Sequence, residues 1–401
     1  MRLVFLNRFY WPDSPATAQL LTDLAETFAA QGREVIVITG RPAAGPCPAR
    51  ETRNGVDIQR VPSTHFGNRN LLTHALDFAS YAVSSIAKLC FLLQRSDTLI
   101  VLTDPPLLAV PAVAAARLRG ARVINWVQDI YPEVAMILTG RRAFGWLRPL
   151  RDWAWQSAHA SVTLGTDMAA VLLERGVPPA RLHLVANWAP DGVTSVPPDA
   201  SAGLRAELGL TNKFVVAYFG NLGRVHDLDV MLDVAEALRD EPQIVFAFIG
   251  PGAQRPALES AARTRGLDRV RFFPPQPRER RTAMLALGDL HLVTLRPGCE
   301  RVVYPSKLYG ICAAGRALLF VGPMESEIAR LILQRRLGLA FDRNAVTAIA
   351  ENLRRLRTSP TEVAAFASAG RAFYESEGCL RRAAAEWTKV VAEVELATDQ
   401  P

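Results

Sequence analysis

The feature that most constrains the fold is a repeated alternation of short apolar runs with segments of helical periodicity. Residues 3–6 are an apolar run, residues 20–28 place leucine and phenylalanine at helical spacing, and residues 34–39 are a second apolar run. Strand–helix–strand units at this spacing build parallel sheets that helices cover on both faces. The alternation restarts near residue 214. The sequence therefore predicts an α/β protein with two Rossmann-like sheets.

A stretch rich in proline and serine separates the two series of alternating elements. A chain of 401 residues is long enough for two domains of ordinary size. Turn-forming residues of this kind are typical of a linker. We therefore predict an N-terminal domain at 1–187, a linker at 188–203 and a C-terminal domain at 204–375. A final helical segment at 376–401 is expected to return toward the N-terminal domain.

Composition excludes several classes of protein. Hydrophobic residues make up 49% of the chain and charged residues 21%, as in soluble globular proteins. The five cysteines form no CxxC pair, which disfavours structural zinc and favours a reduced, cytoplasmic location. The first loop lacks the G-x-G-x-x-G pattern of dinucleotide dehydrogenases. A net charge of +7 predicts an acidic partner such as a nucleotide or a lipid phosphate, but no motif indicates nucleic-acid binding.

The segment around Lys307 is the strongest candidate for a phosphate site. Pro305 favours a turn, Ser306 is a good helix N-cap, and residues 308–314 read as a short helix that ends at Gly315. The start of a helix attracts anions, and a lysine there suits a phosphate. Only 4 of the 46 basic residues are lysine, so its choice here is notable. The alternative is an ordinary capped helix with a solvated lysine.

A glycine-bearing loop after a predicted strand is the second phosphate candidate. It contains Gly220, Gly223 and Arg224, and it faces the Lys307 segment in the same predicted sheet. Small residues at the next strand ends, among them Gly250 and Pro275, would let the backbone approach a ligand closely. Two basic side chains around one pocket suit a diphosphate. Nearby residues 227–229 form a D-x-D, which we interpret as charge at a helix start rather than as a metal site.

Polar residues follow the predicted strands of the first half. Asp104 and Asp129 come at strand ends, together with Gln128, Glu133 and Thr166. Ligands of such sheets bind beyond the carboxyl ends of the strands. The alternative is that these residues are helix caps or turn formers.

Two further segments combine apolar and basic character. Residues 78–93 carry a single charge, Lys88, and residues 141–155 mix arginine with tryptophan and aliphatic side chains. This mixture suits an anionic bilayer surface. The alternative is a pair of core helices beside a solvated basic face.

Several of these motifs resemble the family-four retaining glycosyltransferases, in particular the branch that acts in bacterial capsule, colanic-acid and O-antigen assembly. The resemblance rests on residues 220–224, 248–252, 305–309 and 313–316, with 7–12 and 129–133 in the first half, and it covers nearly the whole chain. It implies a GT-B type fold, in which two Rossmann-like domains face each other across the catalytic cleft. The second domain is expected to bind a nucleotide-sugar and the first a saccharide or polyprenyl-diphosphate-linked acceptor.

The resemblance also implies roles for individual residues. The expected catalytic residues are Arg224, Lys307 and Asp129. The expected donor-binding residues are Gly220, Asn221, Gly223, His226, Gly250, Pro275, Ser306, Leu308, Glu325 and Glu327. The expected acceptor-binding residues are Tyr10, Trp11, Pro12 and Asp104. The reaction is expected to retain anomeric configuration, with no metal and no cofactor, at the inner face of the cytoplasmic membrane.

The chain departs from the family pattern at functional positions. The family's two glutamates, which have seven residues between them, correspond to Val302 and Gly310. We expect Glu300, Glu325 or Glu327 to supply part of their role. The usual arginine and lysine after the glycine loop are replaced by Asn221 and His226, with Arg224 as the expected compensation. These departures keep open a sugar-nucleotide epimerase, a phosphorylase, or a non-catalytic nucleotide-sugar-binding protein on the same fold.

Overall fold

The computed structural model describes residues 1–13, 15–42, 45, 47–66, 71–189, 193, 201–275 and 280–397. The chain divides into two compact units. The first unit comprises Met1–Asn187, Val302–Tyr304 and Leu380–Pro401, and the second comprises Trp188–Arg301 and Pro305–Cys379. Most of the predicted linker, at 190–192 and 194–200, lies outside the described residues.

The first unit is built on an eight-stranded sheet with the strand order β3-β4-β2-β1-β5-β6-β7-β8. All strand pairs are parallel except the antiparallel pair β3–β4 at one edge. The central strands are buried on both faces because helices cover both, which explains their continuous apolar sequences. The strands are β1 (Leu3–Leu6), β2 (Val35–Gly40), β3 (Arg50–Arg53), β4 (Val56–Val61), β5 (Thr98–Leu102), β6 (Arg122–Trp126), β7 (Ala160–Thr163) and β8 (Leu182–Leu184).

The connections between these strands are mostly helices. They are α1 (Ala16–Ala30), α2 (Leu71–Leu92), α3 (Ala109–Arg119), α4 (Glu133–Thr139), α5 (Arg148–Ser157) and α6 (Thr166–Glu174). Short 3-10 helices at Arg142–Leu147 and Pro179–Arg181 complete the connections. Helix α3 ends at Gly120, which adopts the left-handed conformation that favours glycine at a helix C-terminus.

The second unit contains a six-stranded parallel sheet with the order β11-β10-β9-β12-β13-β14. Its strands are β9 (Phe214–Phe219), β10 (Ile244–Ile249), β11 (Val270–Phe273), β12 (Leu290–Thr294), β13 (Ala317–Val321) and β14 (Gly338–Phe341). Its helices are α7 (Ala202–Glu207), α8 (Val230–Ala237), α9 (Arg255–Thr264), α10 (Arg281–Leu287), α11 (Lys307–Ala313), α12 (Glu327–Gln334), α13 (Val346–Arg357) and α14 (Pro360–Ser376). The two parallel sheets confirm the predicted α/β class with two Rossmann-like domains.

The first unit also contains two segments from the second half of the chain. Helix α15 (Leu380–Leu396) packs there, with the ring of Trp387 edge-on to that of Trp126 at a centroid distance of 4.8 Å. Residues Val302–Tyr304 also belong to this unit, because the backbone N–H of Ile130 donates to the carbonyl of Val302 at 2.9 Å. The predicted boundaries had placed residues 302–304 within the C-terminal domain.

Candidate functional site

The glycine loop (220–227) follows strand β9 and is held by hydrogen bonds to its backbone, two of them from one glutamine side chain. Gln254 Nε2 donates to the carbonyls of Gly223 and His226, at 2.6 and 2.9 Å. The backbone N–H of Arg296 donates to the carbonyl of Val225 at 2.8 Å. These bonds fix the path of the loop through its backbone.

Two glycines after β10 allow the glycine loop to approach the neighbouring strand end. A Cβ at Gly250 would lie 2.1 Å from the carbonyl oxygen of Gly220, and one at Gly252 would lie 2.4 Å from that of Leu222. Both glycines have positive φ, at 138° and 152°. The sequence predicted that small residues here admit a ligand, whereas in the structure they admit the backbone of the glycine loop.

Lys307, the first residue of α11, places its ammonium group next to this loop. Its Nζ lies 3.5 Å from the centroid of the Tyr218 ring, and a Cβ at Gly220 would be 3.9 Å from the same nitrogen. The nitrogen is buried and has no hydrogen-bond partner among the residues that the structure describes. Burial lowers the pKa of Lys307 well below its ordinary value. A buried cation without an anion is costly, so this environment is suited to an anionic ligand.

His226 is neutral and has a defined tautomer. Its Nδ1 lies 2.8 Å from the carbonyl oxygen of Thr294, which only accepts, so Nδ1 carries the proton and Nε2 is an acceptor. Burial, with a smaller contribution from the charge of Lys307, lowers the pKa of His226 to about 3. The imidazole also packs edge-on against Tyr218 at 5.7 Å between ring centroids. Tyr218 therefore contacts both His226 and Lys307.

Arg224 and Asn221 lie on the glycine loop, and both are exposed. The Asn221 side-chain amide points back over the loop, because its nitrogen would be 3.1 Å from a Cβ at Gly223. The structure therefore brings Gly220, His226 and Lys307 together, and it leaves the Arg224 side chain at the surface of the same loop.

Other predicted donor residues are more scattered. Pro275 and Glu325 are exposed, Glu327 is half-buried at the start of α12, and Leu308 is buried in α11. Ser306 is at the N-cap position of α11, but its side chain makes no capping hydrogen bond because its backbone is already helical, at φ −65° and ψ −18°. Ser306 therefore occupies the predicted N-cap position, but it does not form the expected capping bond.

The D-x-D residues take part in an ion pair. Asp227 is buried and lies 3.4 Å from Arg343, and Asp229 lies 3.7 Å from the same side chain. Burial, with the neighbouring Asp229, raises the pKa of Asp227 to about 6. Asp229 is at the N-cap position of α8 without a capping bond, so the expected capping role is not observed. No group of three metal-ligating side chains occurs in the described part of the chain.

Glu300 is the acidic residue that best fits the role of the missing glutamates. Its Oε2 is buried, and no described residue forms a hydrogen bond with it. It follows Arg296, whose backbone contacts the glycine loop. A Cβ at Gly310, the position of the family's second glutamate, would meet nothing within 4 Å, so open space exists there.

The first unit has an acidic site at the carboxyl ends of β5 and β6, which are adjacent strands. The Asp129 backbone N–H donates to Thr103 Oγ1 at 3.3 Å, and the Arg8 N–H donates to the carbonyl of Asp104 at 3.0 Å. Burial and the neighbouring Asp104 raise the pKa of Asp129 to about 7. Burial raises the pKa of Asp104 to about 6, although Arg8 opposes this shift. Near neutral pH this pair can both donate and accept hydrogen bonds.

The predicted acceptor residues at the end of β1 differ in exposure. Tyr10 has no exposed surface, so it belongs to the core of the first unit rather than to its rim. Trp11 is half-buried beneath the Arg53 guanidinium, which lies 4.6 Å from its ring, and Pro12 is exposed. Glu133 forms ion pairs at 2.9 Å with two arginines of α5, which accounts for it as a structural residue.

Sequence reasoning missed several residues that build these sites. Tyr218 lies within a buried strand, so its apolar context indicated only core packing. Gln254 follows the second glycine motif, and Arg8 follows the first strand. The signal in the sequence that could have indicated Gln254 and Arg8 was that both are polar residues close to predicted strand ends. Contact with Lys307, the glycine loop and Asp104 required the tertiary structure.

Comparison with known proteins shows which proteins the chain resembles. Residues 17–188 match the profile of the family described as a glycosyl transferase 4-like domain. The Escherichia coli (strain K12) protein WcaI, named for glycosyl transfer in colanic acid biosynthesis, is 29% identical over 82% of this chain and 86% of its own. The Pseudomonas aeruginosa protein WbjE, named as a glycosyltransferase, is 29% identical over 71% of this chain and 72% of its own.

A solved structure extends the likeness to the whole fold. The Anabaena protein Alr3699/HepE, crystallised with UDP-glucose, has a TM-score of 0.75 at 14% identity, covering 98% of this chain and 100% of its own. At this identity the match shows the fold alone, which is that of the GT-B glycosyltransferases. Together with the family match over residues 17–188 and the two relatives, it shows that the chain is similar to glycosyltransferases of the 4-like type, one of which is named for colanic acid biosynthesis.

Proposed function

We propose that this chain transfers a sugar from a nucleoside-diphosphate sugar to a lipid-linked saccharide, with retention of anomeric configuration and with no metal or other cofactor. One observation carries the donor assignment: the Lys307 ammonium group is buried beside the glycine loop, without a hydrogen-bond partner in the described residues. A diphosphate would supply the missing anion. The relative crystallised with UDP-glucose makes UDP-sugars the first donors to test.

Lys307 is the proposed source of catalysis in the second unit. Negative charge grows on the leaving diphosphate as the bond to the sugar breaks, so a fixed cation there stabilises the transition state more than the ground state. His226 stays neutral and presents Nε2 as an acceptor for a donor hydroxyl. The buried oxygen of Glu300 is the proposed partner for a second hydroxyl. The exposed Arg224 adds positive charge at the surface of the loop.

Asp104 and Asp129 are the proposed acceptor-binding groups of the first unit. Carboxyl groups with pKa values of about 6 and 7 are partly protonated near neutral pH, so they can orient a sugar hydroxyl as donor or as acceptor. The proposal of retention rests on the resemblance to a retaining family, and it is tested by the anomeric configuration of the product. We place the reaction in the cytoplasm, at the inner face of the membrane that holds a polyprenyl-diphosphate-linked acceptor.

The testing experiment combines a donor screen with a matched lysine variant. UDP-, GDP- and dTDP-sugars are screened by thermal shift, because a ligand that binds only the native state raises the unfolding temperature. Lys307→Met should abolish the shift of the best donor, while Lys213→Met, a lysine elsewhere in the second unit, should keep it. Transfer to a polyprenyl-diphosphate saccharide is then measured with and without EDTA.

Three outcomes would contradict the proposal. Turnover of the donor to an epimer without any acceptor would indicate an epimerase. Binding without transfer or slow hydrolysis would indicate a binding protein. An equal thermal shift in the wild type and in Lys307→Met would remove the donor assignment itself.

A further inference from the structure

Three helices of the first unit form one layer on one face of its sheet. Leu89 of α2, Val113 of α3 and Ala154 of α5 belong to a single buried cluster with residues of β1, β2, β5 and β6. Because the inner sides of these helices share one core, their outer sides form one continuous surface.

This surface exposes large apolar side chains. We call it the outer helical face and define it by six residues, with their exposed fractions: Val83 (71%), Phe91 (87%), Leu118 (84%), Trp146 (69%), Leu150 (46%) and Trp153 (38%). Four of them come from α2, α3 or the 3-10 helix before α5, and two from α5 itself. Exposed apolar residues are normal when isolated, but a group on adjacent helices marks an interaction site.

Helix α2 dominates the outer helical face. Within the described residues, the segment Ala75–Leu92 is long and apolar enough to cross a bilayer by length and composition, with a mean hydropathy of 1.4, and 22% of it is buried. Tyr81 and Leu89 of this helix are nevertheless fully buried against the sheet. The helix therefore lies flat on the first unit and turns its other side outward.

The charges around this face are almost all positive. The sequences of α2, α3, the 3-10 helix and α5 carry six basic residues, of which only Arg151 is buried: Lys88, Arg117, Arg119, Arg142, Arg148 and Arg151. Their acidic residues are Asp77, which is buried, and Asp152, which pairs with Arg151 at 2.6 Å. Arg117 lies 5.6 Å from the ring of Trp153, a pairing of cation and tryptophan.

We propose that the outer helical face binds the surface of an anionic phospholipid bilayer, with α2 lying in the plane of the headgroups. Tryptophan is favoured at the headgroup level, arginine and lysine attract anionic lipids, and an apolar helix side enters the upper acyl region. The absence of an exposed, unpaired acidic side chain among the described residues of these helices provides the charge complementarity that selects this partner. The inference does not depend on the identity of the donor or on catalysis.

The test is vesicle flotation of the full chain without donor or acceptor. Neutral phosphatidylcholine vesicles are compared with vesicles that also contain phosphatidylglycerol. We expect binding to the anionic vesicles that weakens as salt is added. The double variant Phe91→Glu with Leu118→Glu should lower the bound fraction by about tenfold or more, because each change places a charge where an apolar side chain inserts. Leu184→Glu with Leu333→Glu, exposed at 50% and 47%, is the matched control and should bind like the wild type.

The alternative outcomes are distinct. Failure of the wild type to float with anionic vesicles overturns the proposal, as does an equal loss in the control variant. A concentration-dependent dimer in sedimentation, abolished by the Phe91 and Leu118 changes, would assign the face to a second copy instead. Circular dichroism of both variants shows that they are folded. Loss of sugar transfer with intact flotation would refute only the proposed function.

Discussion

The two units have the same parallel architecture but opposite chemistry at the ends of their strands. The first unit places carboxyl groups there, Asp104 and Asp129, whereas the second places a buried lysine with a lowered pKa, a neutral imidazole and glycines. The fold alone does not choose between these chemistries. The contrast is the one that the proposed ligands require, since a hydroxyl is neutral and a diphosphate is anionic.

The contrast extends to pH. The folded-state pKa of Asp129 is raised to about 7, so its contribution to stability is fully present below the unfolded value near 4 and is lost as pH rises toward 7. The folded-state pKa of His226 is lowered to about 3, so its contribution is present above about 6.5 and is lost as pH falls. The acidic site therefore favours low pH, and the glycine-loop site favours neutral or higher pH.

Of the changes considered, removal of the Lys307 amine should have the largest effect on sugar transfer. Lys307→Met is expected to lower the rate of sugar transfer by about 100-fold or more, because a group aimed at the leaving diphosphate acts mainly in the transition state. Steady-state kinetics with saturating acceptor measure this change. Lys213→Met is the matched control, because the Nζ of Lys213 donates to the carbonyl of Pro242 at 3.0 Å. A similar loss in both variants would contradict a specific role for Lys307.

Displacement of the glycine loop should have the next largest effect. Gly250→Ala would place a Cβ against the carbonyl of Gly220, so we expect a loss of about 2 kcal/mol in stability and a weaker affinity for UDP. Gly266→Ala is the control, because Gly266 also has positive φ but would meet no atom within 4 Å. Denaturant unfolding and calorimetry measure both variants. If the two substitutions behaved alike, backbone strain alone would explain the result.

Removal of a carboxyl group from the acidic site should change how the stability of the protein depends on pH. Asp129→Asn is expected to be more stable than the wild type by about 1–2 kcal/mol at roughly pH 8, with the difference growing between about pH 4 and 7 and constant above. Urea unfolding across this range measures it. A stability difference that does not change with pH would show that burial does not control the pKa of Asp129. His226→Gln is the comparison variant, and we expect its stability relative to the wild type to rise as the pH falls.

Removal of the exposed charge on the glycine loop should have the smallest effect. Arg224→Ala is expected to weaken UDP binding by about threefold, because an exposed arginine is screened by water and salt. Titration at low and moderate salt measures the change, which should shrink as salt is added. A loss as large as that of Lys307→Met would mean that Arg224 closes onto the ligand and shares the catalytic role.

The sequence predicted most of the fold because its central strands are continuous apolar runs. Strand β3 was missed, since Arg50–Arg53 alternates only charged and polar residues and is an edge strand paired antiparallel with β4. Segment Val302–Tyr304 was placed in the wrong unit, because its pairing with residues 129–130 joins positions far apart in the sequence. Such pairings leave no local periodicity.

The candidate site was predicted in part. Lys307 and Gly220 were predicted because a helix start and a glycine loop have local signatures, and the structure brings the two residues together. The Tyr218 ring against Lys307 was not found, since a tyrosine inside a buried strand looks like any core residue. The raised pKa of Asp129 was not found either, because it depends on burial and on Asp104 across the strand pair.

The most direct test of the central claim is the number of protons taken up when UDP binds. Burial lowers the pKa of Lys307 in the free protein, and an adjacent diphosphate favours the charged form, so binding should protonate this side chain. Calorimetric titration near pH 8, in buffers of different ionisation enthalpy, gives this number. We predict net proton uptake by the wild type and none by Lys307→Met. Tight binding of UDP to both proteins with identical proton exchange would contradict the account.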